Sequence, residues 1–324
     1  MIIKDGVYGE FEISEPVLLE LIASPSIQRL KGISQMGMPQ EYWHTPVFSR
    51  YEHSIGVMLV LRKLNASLNE QIAGLLHDVS HTAFSHVADW VFGDPTKEDH
   101  QDNIFEEFVL KSEIPGILEK NNISTKEILD FSNFPLLEQE LPELCADRID
   151  YTLRELNAIG KEALARELAG DLISFNSRIV FKSKELAESF ANSFISRNNQ
   201  HWAAPESRLR YHLLSDILKE AMLKEIISKE DFGKTDQEVL SAITLSKDAS
   251  FLEKLKILSG KLKAIESDTG ILLQKKFRYI NPSVILGNQV LPLSSISPEY
   301  TQVLELEREN SKKEMRVSFV PVSS

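Results

Sequence analysis

The stretch Gln71-Ile72-Ala73-Gly74-Leu75-Leu76-His77-Asp78-Val79-Ser80-His81-Thr82-Ala83-Phe84-Ser85-His86 decides how this chain is read, because an apolar helical face runs directly into an adjacent imidazole and carboxylate. Ile72, Leu75 and Leu76 recur at helical spacing, and Asn69 is the predicted cap of the helix that carries them. Upstream, His53 opens a segment in which Ile55, Met58, Leu59 and Leu64 share one side. Downstream, Asp147 lies in a predicted helix over 138–158. Separate helices thus present His53, His77-Asp78 and Asp147 in the order H…HD…D. Two imidazoles and two carboxylates so arranged can close around one divalent cation and leave positions open for water and a phosphate.

The other histidines reinforce that focus. Of eight, six fall between residues 44 and 100: His44, His53, His77, His81, His86 and His100. Mixed imidazole and carboxylate ligation suits iron, manganese, zinc or nickel better than magnesium, which takes oxygen ligands. If the helix continued past His77, His81 would share its face, and His86 and Asp89 follow at a spacing of three, so the group could line one cleft.

Composition narrows the partners. A 324-residue chain with 42% hydrophobic residues can bury a substantial core. A net charge of -12 disfavours nonspecific binding to polymeric nucleic acid while leaving room for a local anion pocket. The single cysteine, Cys145, excludes an intramolecular disulfide, and the N-terminus has no cationic region followed by a long apolar stretch. No apolar run approaches the roughly 18 to 20 residues that span a bilayer. A cytoplasmic protein with no membrane partner is expected.

The predicted fold is mainly α, with a helical core, a short N-terminal β-hairpin and a small α+β C-terminal lobe. Ile2 to Lys4 and Val7 to Ile13 flank Asp5-Gly6, a two-residue hairpin signal. Helices are predicted near 97–112, 124–131, 138–158, 161–171, 184–199 and 207–228, and a second hairpin around Asn176-Ser177. Beyond about residue 260, Gln274 to Ile280 and Met315 to Val320 look strand-like. The division is therefore 1–260 as catalytic region, with the metal-site core at about 45–160, and 261–324 as the lobe.

The segments Ser49-Arg50-Tyr51-Glu52-His53-Ser54-Ile55-Gly56-Val57, Gln71 to His86 and Asp147-Arg148-Ile149-Asp150-Tyr151 resemble the HD-domain phosphohydrolases, and within them the deoxynucleoside triphosphate triphosphohydrolase branch. The resemblance covers about residues 1 to 230. It implies that His53, His77, Asp78 and Asp147 bind one divalent metal, with Asp150 the rival carboxylate read as a supporting helix residue. It further implies that His81, His100 and Asp89 serve the chemistry, and that Arg50, Gln35, His86 and Tyr151 contact substrate. In such proteins metal-bound water attacks the α-phosphorus, giving a nucleoside and triphosphate, and magnesium can accompany the nucleotide. A homo-oligomer, dimer or tetramer, is also implied.

The chain departs from that branch at several positions. Ser80 replaces the glycine usual after His-Asp-x, Glu155 replaces a shorter acid one turn past Tyr151, Ala23 stands where an acid reads an activating guanine, and Pro205-Glu206-Ser207 lacks the aromatic that packs on the base. Base and sugar preference therefore do not transfer. Two alternatives stay open: an HD phosphohydrolase of another phosphoester, such as a nucleoside monophosphate or cyclic nucleotide, or a non-catalytic nucleotide-binding scaffold. Lys275, Lys276 and Arg278 are expected to face solvent.

Overall fold

The computed structural model describes residues 1–93, 100–273, 277–313 and 315–321. The chain opens with antiparallel strands β1 (Ile2–Asp5) and β2 (Gly9–Glu12), paired from Ile2↔Glu12 to Asp5↔Gly9. The connection is one residue longer than the expected two. Asp5 Oδ1 accepts the N–H groups of Val7 (2.8 Å) and Tyr8 (3.0 Å), which winds three residues into the turn.

Two short helices follow, α1 (Pro16–Ala23) and α2 (Pro25–Arg29), each with proline in its first turn, where no helical N–H is needed. They lead to α3 (Arg50–Lys63), which begins with a capping box: Ser49 accepts from the Glu52 N–H while the Glu52 carboxylate accepts from that of Ser49. The box fixes Arg50 and His53 in the first turn. In α4 (Leu68–Leu76) the cap is Ser67, three residues before Glu70, and the expected cap Asn69 instead donates to Glu127. This helix stops at Leu76, so His77 to Ser80 form turns and His81 reaches the site by a bend, not along a continued helical face.

Helices α5 (Val87–Phe92), α6 (His100–Lys111), α7 (Ile114–Lys120) and α8 (Thr125–Leu129) come next. The first three residues of the helix expected over 97–112 lie outside the described residues. The helix expected from 138 begins only at Ala146, as α9 (Ala146–Ala158). Pro142 interrupts the earlier half by removing a backbone donor. Glu70, buried in α4, accepts the N–H groups of Leu136 (2.7 Å) and Leu137 (3.2 Å) and anchors that irregular approach. α9 crosses α3 at Gly56, where an added Cβ would lie 2.0 Å from Asp150 Oδ1 and Arg154 Nη2. Only a residue without a side chain lets the two helices approach so closely.

Beyond α10 (Glu162–Asp171), strands β3 (Leu172–Phe175) and β4 (Arg178–Phe181) form the expected hairpin. Helix α11 (Lys184–Arg197) then passes through a wide turn at Asn198–Trp202 into α12 (Pro205–Leu223), followed by α13 (Asp236–Leu245) and α14 (Ala249–Ser259). The last segment holds β5 (Leu262–Leu273), β6 (Ser283–Leu286), β7 (Gln289–Pro292), α15 (Leu293–Ile296), α16 (Pro298–Ser311) and β8 (Met315–Pro321). β8 pairs with β5; of the residues 274–280 expected to be strand-like, 274–276 lie outside the described ones and 277–280 carry no strand. The second hairpin is not isolated. β6 pairs in parallel with β4 (Val180↔Ser283, Phe181↔Val284), making one sheet of order β3-β4-β6-β7.

The architecture is mainly α, and its apolar residues form two clusters. One gathers α1 to α4, α6 to α11 and the C-terminal segment; the other gathers Met36, Met38, Trp43, Phe48, Phe84 and the faces of α12 to α14. Trp202 packs against both. A cavity of about 540 Å³ draws its lining from both sides of that seam.

Candidate metal and phosphate site

His53, on the first turn of α3, is fully buried, and His77 immediately follows α4. The Nδ1–H of His77 donates to Gly74 O (2.8 Å), and Nδ1 of His53 lies 2.8 Å from Asp150 Oδ2. A carbonyl and a carboxylate can only accept, so both imidazoles carry their proton on Nδ1 and aim Nε2 at the same point, where a cation would take its lone pair. There Asp147 Oδ1 lies 2.9 Å from His53 Nε2 and 3.5 Å from His77 Nε2. The donor atoms of His53, His77 and Asp147 all fall within 4.8 Å of one another, a set that could hold a metal ion. Asp78 stands beside this triple, its oxygens 3.6 Å from His53 Nε2 and 3.5 Å from His77 Nε2.

The electrostatics favour positive charge at that point. Burial opposes protonation of His77, yet the carboxylates of Asp78 and Asp147 outweigh it and raise its pKa to about 9. His53 is likewise raised against burial, by its bonds to Asp147 and Asp150. Asp147 is held well below the carboxylate range, against burial, by the two histidines. The same field would stabilise a dication. Two neutral imidazole nitrogens and a carboxylate, each oriented by an outer partner, fit a divalent transition metal.

Arg50 is not a surface residue; it is 2% exposed and donates in three directions: Nη1 to Asp78 Oδ2 (2.6 Å), Nε to Ser85 Oγ (3.0 Å) and Nη2 to the Gln35 carbonyl (3.3 Å). Its charge holds the buried Asp78 well below the usual range, against desolvation. His86 Nε2 lies 3.1 Å from Arg50 Nη2. His81 Nε2 approaches Asp78 Oδ1 at 3.3 Å, but burial and the neighbouring Arg50 push its pKa down to about 4. It is therefore neutral near pH 7 and offers a hydrogen bond rather than a charge. Asp89 Oδ1 accepts the backbone N–H of His100 (3.0 Å) at the start of α6.

These residues face a cavity of about 540 Å³ lined by Gln35, Arg50, His77, Asp78, His81, His86, Asp89, His100, Asp147 and Tyr151, with His53 buried behind it. Gln35 is 5% exposed, and its Oε1 has no hydrogen-bond partner among the described residues. Tyr151 packs edge-on to Trp202 (5.1 Å), and burial raises its phenol far above the usual value. Sequence reading passed over Trp202, Tyr211, Arg208 and Glu138, which share the lining. Arg278, expected to face solvent, also lines this cavity. Glu155 does not line it; it is 1% exposed, bonded to His201 and accepting from Trp202 Nε1 (2.5 Å). A second triple of donors, Glu138, Cys145 and Asp147, has Arg148 Nη1 3.2 Å from Cys145 Sγ and already carries a counter-charge.

Comparison with known proteins bears directly on this geometry. Residues 50–155, which carry all four expected ligands, match the family described as HD domain. The chain is 41% identical to the uncharacterized protein YdhJ of Bacillus subtilis, covering 99% of each, and 32% identical to the metal-dependent phosphohydrolase cns2 of Cordyceps militaris, covering 93% of this chain and 90% of that one. It belongs to the HD-domain metal-dependent phosphohydrolases.

A more distant relative is the human deoxynucleoside triphosphate triphosphohydrolase SAMHD1, 24% identical over 88% of this chain and 56% of that protein. A crystal structure of a phosphohydrolase from Bacteroides thetaiotaomicron shares the fold, with a TM-score of 0.72, 17% identity and full coverage of both chains. No helix among the described residues of this HD-domain chain is long and apolar enough to cross a membrane.

Proposed function

We propose that this HD-domain phosphohydrolase cleaves (deoxy)nucleoside triphosphates to nucleoside and triphosphate. The observation that carries the reading is the lining of the cavity: Arg50, Arg208 and Arg278 share one chamber with the His77, Asp78 and Asp147 donors, and its volume suits a nucleotide. The similarity to a deoxynucleoside triphosphate triphosphohydrolase supports the same substrate class.

In this reading His53, His77, Asp78 and Asp147 hold one divalent ion, with iron, manganese, zinc or nickel preferred to magnesium, which would enter with the nucleotide. Such an ion supplies Lewis acidity and makes water a nucleophile near neutral pH. Arg50 keeps Asp78 ionised and oriented and presents its remaining edge to phosphate. Neutral His81 has a single N–H, and turning it from Asp78 to a phosphate oxygen supplies a hydrogen bond without charge. His100, held near Asp89, delivers a proton to the departing 5′-oxygen, while Gln35, His86 and Tyr151 position the rest of the substrate. Residues 1–260 form the catalytic region and 261–324 a lobe that lends Arg278. A cytoplasmic homo-oligomer completes the proposal.

One observation favours a second reading. Glu155, the acid expected near the sugar, is committed to His201 and Trp202, which leaves the sugar less constrained. A different phosphoester, such as a nucleoside monophosphate or cyclic nucleotide, fits that arrangement. The test is product analysis with protein reconstituted separately with iron, manganese, zinc and magnesium. Tripolyphosphate released from deoxynucleoside triphosphates, and lost in both His77→Ala and Asp78→Ala, supports the first reading. Orthophosphate from monophosphates supports the second, and turnover that survives both substitutions defeats each.

A further inference from the structure

Asp236 lies at the first position of α13, far along the chain from the metal ligands, and is 4% exposed. Its two oxygens accept backbone N–H groups from two different walls of the cavity: Oδ2 from Ser34 (2.9 Å) and Oδ1 from Phe84 (2.7 Å). Each wall carries lining residues, Gln35 and Met36 on one and Ser85 and His86 on the other. Ser85 Oγ bridges the walls by donating to Ser34 O (3.1 Å) and accepts Arg50 Nε (3.0 Å).

The clamped backbone is not relaxed. Phe84 (φ 63°) and Ser85 (φ 38°) both sit in the left-handed region that side-chain-bearing residues avoid. Gly37 (φ 71°) allows the other wall to come so near that an added Cβ would meet Phe84 O at 2.6 Å. Ala83 N–H donates to Phe232 O (2.8 Å), a second tie from the segment just before α13. A strained turn persists only where its surroundings over-determine it, and here those surroundings are Asp236 and the residues beside it.

We propose that Asp236 is a positioning residue of the phosphohydrolase site, holding the Ser34–Gln35 and Phe84–Ser85 turns in register so that Arg50 and Gln35 are correctly aimed into the cavity. Burial pushes its carboxyl up to about 6, opposed by the Phe84 and Ser34 N–H donors and by the guanidiniums of Arg50 and Arg29. The metal triple stands on α3, the end of α4 and α9, and Asp236 makes no hydrogen bond to any of its members. Asp236 reaches Asp78 only through Arg50, so its effect on metal binding is smaller than its effect on anion binding.

The experiment compares wild-type protein with Asp236→Asn, which can accept only one of the two N–H groups, and with Glu238→Ala, which weakens the cap of the same helix through Thr235 without reaching either turn. Manganese affinity, tripolyphosphate affinity, turnover of deoxyadenosine triphosphate and amide exchange at Ser34 and Phe84 are measured for each. Asp236→Asn is expected to lower manganese affinity less than tripolyphosphate affinity, to accelerate exchange at both amides, and to lose turnover and tripolyphosphate affinity on the order of tenfold, short of the roughly hundredfold that an ångström of misplacement can cost. Glu238→Ala keeps both. If wild-type turns over no nucleotide, the triphosphate reading fails, but tripolyphosphate affinity still decides the role of Asp236. Unchanged anion affinity in Asp236→Asn, or losses matched by Glu238→Ala, overturns it.

Discussion

Asp150 Oδ2 sits 2.8 Å from Nδ1 of His53, on the opposite edge of the ring from Asp147. The carboxylate is itself held by Arg154, which donates to it from Nε (3.0 Å) and Nη2 (2.9 Å) and reaches Asp5 at 3.0 Å. A chain of charges thus runs from the opening hairpin to His53 and fixes which of its nitrogens faces Asp147. Asp150→Asn is expected to weaken metal binding by about 10- to 100-fold, as loss of such outer partners does elsewhere. Titration calorimetry with manganese or zinc checks this; an unchanged affinity would show that His53 needs no such support.

Gly56 is where that chain of charges passes α3. A methyl there meets Asp150 and Arg154 at 2.0 Å, and neither helix can retreat without separating His53 from Asp147. Gly56→Ala should cost about 1–3 kcal/mol or more by overpacking, read from urea denaturation of metal-free protein, and should weaken metal binding as well.

The buried Asp236 gives a pH signature. Its pKa in the fold, about 6, stands above the ordinary aspartate value, so protonation is favoured in the folded state. Its stabilising contribution is complete below about pH 4 and disappears as pH rises through 6. Relative to Asp236→Asn, wild-type stability should fall by about 3 kcal/mol between about pH 4 and pH 7. Parallel denaturation series across that interval test it, and equal slopes for the two proteins would contradict it.

Arg278 lines the cavity, and its charge is felt at the Tyr151 hydroxyl. Arg278→Gln should raise KM for a triphosphate on the order of tenfold, the worth of one charge-assisted hydrogen bond, with little change for a monophosphate. Steady-state kinetics on both substrates separate the outcomes; an equal effect on both would place the residue nearer the reacting phosphate.

Part of this site was legible because its donors stand at helix ends with local signals of their own. His53 follows a Ser49-x-x-Glu52 box and His77-Asp78 follows an apolar face, and the resemblance to the HD-domain phosphohydrolases joined them with Asp147 into one expected ligand set. Reading failed where a local signal competed with another. Ser67 with Glu70 outranked Asn69 as a cap because Ser67 reaches the Glu70 N–H, and Pro142 ended a helix that acidic and apolar periodicity had extended. It also failed where position depends on contacts between distant segments. Nothing near Arg278 in sequence announces the cavity; its place follows from the C-terminal segment that pairs β6 with β4. Asp236 was equally silent, since an acid in a first helical turn is ordinarily explained by the helix dipole.

The parallel pairing of β6 with β4 joins Val180 to Ser283 across a long stretch of chain and sets a condition on biosynthesis. A nascent chain emerging from the ribosome through Phe181 already contains His53, His77, Asp78 and Asp147, yet it exposes an unpaired strand edge at Arg178–Phe181 until Ser283 has been made. The apolar residues of that edge must wait for the closing part of the polypeptide, and a chain truncated before it would keep the helices that carry those four residues while becoming prone to stick to copies of itself.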